Sequence, residues 1–317
     1  MRAKILLFLV FFSTFLHAEE ERPSVEDRYR IAMEALGKQD WKTSIKQNRR
    51  ILAYHRGTTF AKEADYYLAV AYLAQGEYIR ADQYLTRYIT TQESPTFFEE
   101  AIRKKFEIAK AFDNGGKKHL FHAKLLPKIL PARDEALRLY DEVIASLPRD
   151  EIAAESLYRK GELLLFFKKY KESVDAFQTL IRRFPKHARA PDSFMSIANV
   201  YLKQCSATFP DPAHLELAEI NLRKFRRAFP GESRITETEG LILQMKERFA
   251  KELFDVGHFY QKTKKVDSAA IYYSTIIVRY PETMQAKHAE KRLRKLGREI
   301  PQPGTVAMPS NNEQAAS

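Results

Sequence analysis

Ala64-Asp65-Tyr66-Tyr67-Leu68-Ala69-Val70-Ala71-Tyr72, then Gln75-Gly76-Glu77-Tyr78, then Ala81, Leu85 and Tyr88: this stretch decides the fold. The first run is apolar along one helical stripe. Gln75-Gly76-Glu77 is a polar turn. Beyond it, a small residue is followed by large apolar residues four and seven positions on, which again share one face of a helix. The stretch reads as two amphipathic helices joined by a short turn. Neither can bury its apolar face alone, so the pair needs neighbours.

The neighbours are in the sequence. Small residue, large residue at four, large residue at seven and proline at twelve recur as Ala136, Tyr140, Val143 and Pro148. They recur as Ser173, Phe177, Leu180 and Pro185, as Ala218, Leu222, Phe225 and Pro230, and as Ala269, Tyr273, Ile276 and Pro281. In the quoted stretch the proline comes two residues late, at Pro95. Ser44 and Ile51 open a first copy that lacks the proline and has polar Asn48 at the fourth position. The small residue admits a neighbouring helix, and proline cannot continue a helix interior, so it stops each unit. The polar turn recurs as Lys38-Gln39-Asp40-Trp41, Phe167-Lys168-Lys169-Tyr170 and Thr263-Lys264-Lys265-Val266.

These units resemble tetratricopeptide repeats of about 34 residues. Six are expected, at 25–56, 62–95, 99–148, 154–187, 191–232 and 250–283. The expected fold is all-α, a superhelix of stacked helix-turn-helix units. Its divisions run 19–95 for the amino-terminal repeats and 96–153 for a repeat with an inter-helix insertion at 114–131. Then come 154–232 for the middle repeats and 233–298 for a long helix and the carboxy-terminal repeat. Residues 299–317, rich in Pro, Gly, Ser, Asn and Gln, read as a disordered tail. A second, shorter insertion is expected around Cys205 to Pro212.

The remaining composition fits. Eleven glycines in 317 residues argue against a loop-rich β-sandwich, and 30% charged residues suit a helical protein. Residues 1–18 carry Arg2, Lys4, an apolar run from Ile5 to Phe12 and then Ala18, the pattern of a signal peptide cleaved before Glu19. That run is shorter than the ~20 residues needed to span a bilayer. The net charge of +12 leaves room for an acidic polymer or peripheral contact with an anionic membrane, but the charges are mostly interspersed with acids, as in Lys168-Lys169-Tyr170-Lys171-Glu172. No nucleic-acid partner is expected.

Catalytic and cofactor motifs are missing. There is no His-Glu-x-x-His, no Cys-x-x-Cys and no phosphate-binding loop; Gly115-Gly116-Lys117-Lys118 lacks the earlier glycine and the hydroxyl. His119 and His122 lack a third ligand, His258 reads as a surface or packing residue, and the single Cys205 reads as an inert thiol. No enzyme activity, metal or cofactor is expected. The expected binding surface lies on the first helices. One equivalent position in the six units holds Tyr29, Tyr66, Arg103, Tyr158, Met195 and Phe254. Aromatics give a partner large contact area for few torsions. Met33 and Val70 stand one turn beyond Tyr29 and Tyr66, and Leu73 nearly a turn further. Tyr29, Met33, Tyr66, Val70, Leu73, Arg103 and Tyr158 are therefore the candidate groove residues. Tyr29 and Tyr66 should be adjacent steps of one aromatic ladder, with Tyr66 packed on one side only. Packing between units is the other fate open to these rings.

A narrower resemblance runs through the repeats. Glu34-Ala35-Leu36-Gly37-Lys38-Gln39-Asp40-Trp41-Lys42-Thr43-Ser44-Ile45 resembles the first repeat of the BamD family of outer-membrane assembly lipoproteins. Tyr67 to Tyr72, continuing to Arg87-Tyr88-Ile89, resembles that family's second repeat. Arg248 to Tyr260 resembles its last long helix, Ala269 to Thr283 follows in family order, and Asp211-Pro212-Ala213-His214 is similar to its entry into a second helix. The resemblance implies a periplasmic scaffold at the inner face of the outer membrane. Its amino-terminal units would take unfolded outer-membrane proteins, and its carboxy-terminal units would dock on the barrel-assembly protein. Three departures stand out: no lipid-anchoring cysteine, six units where the family typically has five, and Tyr272 where family members can carry a partner-contacting arginine. The chain also resembles the TolA-binding coordinator family. That alternative implies a periplasmic role in envelope constriction or cell-wall synthesis.

Overall fold

The computed structural model describes residues 23–119, 128–207 and 211–302. The expected signal peptide, its cleavage site and residues 303–317 of the expected tail lie outside them. Among the described residues there are thirteen helices and one short hairpin, in two compact units that divide between Pro148 and Arg149.

The first unit contains α1 (Val25–Gly37), α2 (Trp41–Tyr54), α3 (Thr59–Ala74), α4 (Tyr78–Thr90), α5 (Phe98–Asp113) and α6 (Arg133–Ser146). The second contains α7 (Glu151–Phe166), α8 (Tyr170–Arg183), α9 (Arg189–Ala207), α10 (Pro212–Ala228), α11 (Arg234–Lys262), α12 (Val266–Arg279) and α13 (Met284–Lys295). Successive helices pack as six pairs. The fold is an all-α array of tetratricopeptide type. One local departure lies inside the 114–131 insertion, where β1 (Lys117–His119) pairs antiparallel with β2 (Lys128–Pro131).

The repeated pattern is the core. The small residues Ser44, Ala81, Ala136, Ser173, Ala218 and Ala269 are all fully buried. So are the residues seven positions on, Ile51, Tyr88, Val143, Leu180, Phe225 and Ile276. The fourth positions, Leu85, Tyr140, Phe177, Leu222 and Tyr273, are buried too, as is polar Asn48, whose Nδ2 donates to the Ser44 carbonyl at 3.0 Å. Helices α6, α8, α10 and α12 stop two residues before their prolines, and the intervening residue still donates to the last turn, as Phe184 N does to Leu180 O at 2.8 Å.

The small residue on the second helix has a counterpart on the first. Three positions beyond the Tyr29 series lie Ala32, Ala69, Ala198, Gly161 and Gly257, all buried, with Phe106 as the exception. At Gly161 the approach is closest: a Cβ there would stand 2.6 Å from the ring of fully buried Phe177. The Ser173 hydroxyl donates to the Gly161 carbonyl at 2.8 Å across the same contact.

The four polar turns share one geometry. Gln39, Gly76, Lys168 and Lys264 have φ of 59°, 69°, 59° and 63°. In each turn this residue donates three residues back and the next donates five back, as Lys168 N to Leu165 O and Lys169 N to Leu164 O, both 2.9 Å. These are the two bonds that close a helix through a left-handed residue. Of these four turns only the one between α3 and α4 spends a glycine on it.

Polar contacts tie the third pair to its neighbour. Lys105 on α5 is 2% exposed, and its ammonium donates to Asp82 (2.6 Å) and Thr86 (2.6 Å) on α4 and to Glu142 (2.7 Å) on α6. Arg138 joins Asp82 and Glu142 from the solvent side. The final helix, α13, is a further finding. No separate helix is expected beyond the sixth pair, yet Ala286, Ala289 and Leu293 bury one stripe of α13 against the last core. That stripe is only three residues wide and sits among cations, so its periodicity is faint.

Two substitutions test this packing. Helix propensity alone favours Gly161→Ala by about 1 kcal/mol. The clash with Phe177 should reverse the sign, giving a net loss of about 1–3 kcal/mol in urea unfolding. Lys168→Gly should stabilise by about 1 kcal/mol in the same assay, because it removes the left-handed strain of a side-chain-bearing residue.

Candidate functional site

The first unit gathers its aromatic side chains between α1, α3 and α4. Tyr29 on α1 lies 4.8 Å from Phe60 and 6.1 Å from Tyr67, ring centre to ring centre. The Tyr29 and Tyr67 hydroxyls are 3.4 Å apart, and both donate towards Glu63, at 3.4 and 3.3 Å. Burial, then the Tyr29 hydroxyl, then Glu63, push the Tyr67 phenol far above its ordinary value. Tyr66 points into the helix stack. Its ring lies on Phe97 at 4.7 Å and 20°, tilts on Tyr88 at 5.5 Å and meets Tyr67 edge-on at 5.6 Å. Tyr88 in turn accepts the backbone N–H of Phe97 at 2.8 Å.

Two expectations change. Tyr66 packs on several sides, with 9% exposure, because Phe97, arriving from the turn before α5, covers its outer face. Tyr29 and Tyr66 are joined through Tyr67 and are not adjacent steps. Among the other candidates, Met33, Val70 and Leu73 are half-buried like Tyr29, and Arg103 is exposed. Of the six equivalent positions only Tyr66 is buried; Met195 and Phe254 remain half-buried. Sequence reasoning missed Tyr67, Glu63 and Phe97. Tyr67 sits beside Tyr66 in the deciding stretch, whereas Phe97 lies outside any periodic segment.

Tyr158 belongs to the second unit. Its half-buried ring carries the Arg189 guanidinium 4.6 Å over its face and touches Phe177 at 5.6 Å. Arg189 also donates to Glu155 at 2.9 Å and pairs with Asp192 at 3.2 Å. Asp192 accepts from Arg234 at the start of α11, and Arg234 pairs with Glu232. The first helices α7, α9 and α11 are thus linked by one chain of alternating charges beside Tyr158. Burial alone would raise the Glu155 carboxyl, but hydrogen bonds from Arg189 and Arg159 outweigh it and hold the group below its ordinary 4.5.

The side chains that could do chemistry are dispersed. Cys205 is fully buried, and burial pushes its thiol up, away from the reactive thiolate. His258 is half-buried beside Phe254, with ring centres 6.5 Å apart. Among the described residues no three His, Cys, Asp or Glu side chains are grouped to hold a metal ion. No described helix is long and apolar enough to cross a membrane.

Family comparison agrees with this architecture. Residues 29–96 match one tetratricopeptide-repeat model and residues 155–187 match another. The chain carries tetratricopeptide repeats. Such repeats suggest a protein–protein interaction scaffold. No curated protein matches the chain. Solved structures similar to it include apo RapI, at 13% identity, covering 86% of this chain and 99% of that one, with a TM-score of 0.36. A Rap protein complexed with competence and sporulation factor is similar at 15% identity, 90% and 81% coverage and a TM-score of 0.28. The carboxy-terminal part of a tetratricopeptide-repeat protein from Cytophaga hutchinsonii is similar at 12% identity, 82% and 98% coverage and a TM-score of 0.35. Scores this low bear on neither partners nor function, and the repeat assignment rests on the family matches and the helix pairs.

The aromatic cluster predicts that Tyr66→Ala unfolds about 3 kcal/mol more easily, since it opens a cavity beneath Phe97 and Tyr88. Urea titration measures this directly. The Glu155 ion pairs predict a pH signature. A carboxyl held below its ordinary value contributes stability at neutral pH that is lost as pH falls through its folded value. Glu155→Gln should therefore be less stable than the parent at neutral pH, and the two unfolding curves should converge below about 4.5.

Proposed function

We propose that the chain is an exported, non-enzymatic scaffold of the BamD kind, working in outer-membrane protein assembly from the periplasm. The observation that carries this reading is the order of the similar segments along the helix pairs. The first-repeat-like piece, 34–45, lies across α1, its left-handed turn and α2. The second lies on α3 and α4. Residues 248–260 fall in the second half of α11, a helix of 29 residues, and 269–283 fall on α12 and the turn after it. Asp211 and Pro212 begin α10, where Asp211 accepts the Ala213 N–H at 2.9 Å and Pro212 takes the first turn.

In this reading the amino-terminal pairs receive segments of unfolded outer-membrane proteins. The half-buried edge of Tyr29, Met33, Val70 and Leu73 and the exposed Arg103 provide the contact. The carboxy-terminal pairs dock on the barrel-assembly protein. Tyr272, half-buried and stacked on Tyr260 at 5.5 Å, makes that contact aromatic where family members use a cation.

Purification of the tagged chain from envelope membranes tests the assignment. A large outer-membrane barrel protein should come with it; Tol or cell-wall synthesis proteins in its place would overturn it. Arg103→Glu should weaken capture of an unfolded outer-membrane protein by about 1–2 kcal/mol per folded molecule, measured as affinity beside the melting temperature of the same variant.

A further inference from the structure

On α2 and the turns beside it, the interspersion of acids and bases common along this chain gives way to cations. Between residues 38 and 62 stand Lys38, Lys42, Lys46, Arg49, Arg50, Arg56 and Lys62, against the single acid Asp40. All seven cations are exposed. Asp40 is occupied as the cap of α2, accepting the Thr43 N–H at 3.1 Å, and hydrogen bonding from the Thr43 side chain, then from its backbone N–H, holds the carboxyl below the usual range. Among the described residues none of the seven makes an ion pair. The contrast with α1 is direct, since Arg30 there is tied to Asp27 and Glu34.

The cations are also aligned. Lys42, Lys46, Arg49 and Arg50 follow each other at offsets of four, seven and eight, which puts them on one stripe of α2. Ser44, Asn48 and Ile51 lie on the opposite side, buried against the neighbouring helices. The stripe therefore faces solvent as a whole. Arg49 rests its guanidinium 5.9 Å over the Tyr72 ring, and Tyr54, 65% exposed, stands at the end of the helix.

We propose that the solvent face of α2 docks the protein electrostatically on a membrane surface rich in anionic phospholipid. Four cations on flexible stems along one helix suit a dense, laterally mobile layer of phosphates. A bound acidic peptide would use apolar anchors to fix its side chains; Trp41 and Ile45, which flank the stripe, are half-buried, and the next position along it is the small, exposed Ala53. Tyr54 has an apolar body and a polar tip, the form of side chain that settles at a lipid headgroup boundary. The inference is independent of which protein the repeats bind, because it concerns α2 and not the first-helix surface.

Sedimentation of the full chain with phosphatidylcholine vesicles, with and without phosphatidylglycerol, tests the proposal. Binding should depend on phosphatidylglycerol and fall as salt is raised. The double variant Lys46→Gln/Arg50→Gln should lose roughly tenfold or more of the phosphatidylglycerol-dependent affinity, as expected when two surface cations are removed. Lys46→Arg/Arg50→Lys, which keeps the charge, should bind like the parent. Both variants should melt with the parent, since both side chains are exposed. Equal binding to the two vesicle types, or an undiminished Gln variant, would overturn the proposal. So would binding of polyglutamate by the stripe without binding to anionic vesicles, which would assign it to an acidic polypeptide.

Discussion

Five of the six helix pairs depend on a close approach at one buried small residue on each helix. Gly161 against Phe177 is the tightest case, with no room for even a methyl group. Gly257 repeats it, where a Cβ would stand 3.0 Å from Tyr273 and 3.2 Å from Tyr272. The first helix supplies the gap and the second supplies the ring that fills it. Because the ring is flat and fully buried, the gap fixes both the distance between the helices and their rotation. The surfaces exposed to partners follow from that rotation: turning α7 to relieve Phe177 would also turn Tyr158 and the Glu155 ion pairs.

The third pair shows what happens when the rule is relaxed. Phe106 occupies the position that is alanine or glycine elsewhere, and its ring lies 6.2 Å from Tyr140. The turn between α5 and α6 is also the one replaced by an insertion with a hairpin. Here the buried charge group around Lys105 takes over part of the work of holding α4, α5 and α6 in register. A lysine this deeply buried is favourable only when each of its donors is met, and Asp82, Thr86 and Glu142 meet all three.

The second helices were readable from the sequence because their signal is redundant. Ala136, Tyr140, Val143 and Pro148 each carry a different physical constraint, and the set recurs with little variation. The first-helix surface was less readable. Tyr66 and Tyr29 occupy equivalent positions, yet one is covered and the other is not, and the difference is Phe97, a residue from the turn before α5. Periodicity within a helix holds no information about what a distant turn lays over it. Lys105 was hidden in a similar way. Its equivalents in the second and fifth helix pairs are Leu68 and Ile197, both buried. A cation at that position reads as an exposed interruption of the stripe unless its acidic partners on two other helices are known. The hairpin and α13 lacked both a repeat and a strong stripe.

The same satisfied lysine has a chemical consequence. Its ammonium uses all its protons in hydrogen bonds to groups on two helices, and solvent barely reaches it. An amine-directed reagent needs an open approach to the nitrogen, and Lys105 offers none while α4, α5 and α6 remain together. Among so many lysines scattered over the surface, this one should stay unlabelled until the first unit opens. Its reactivity is therefore an internal clock for that opening, readable at a single residue in the full-length chain.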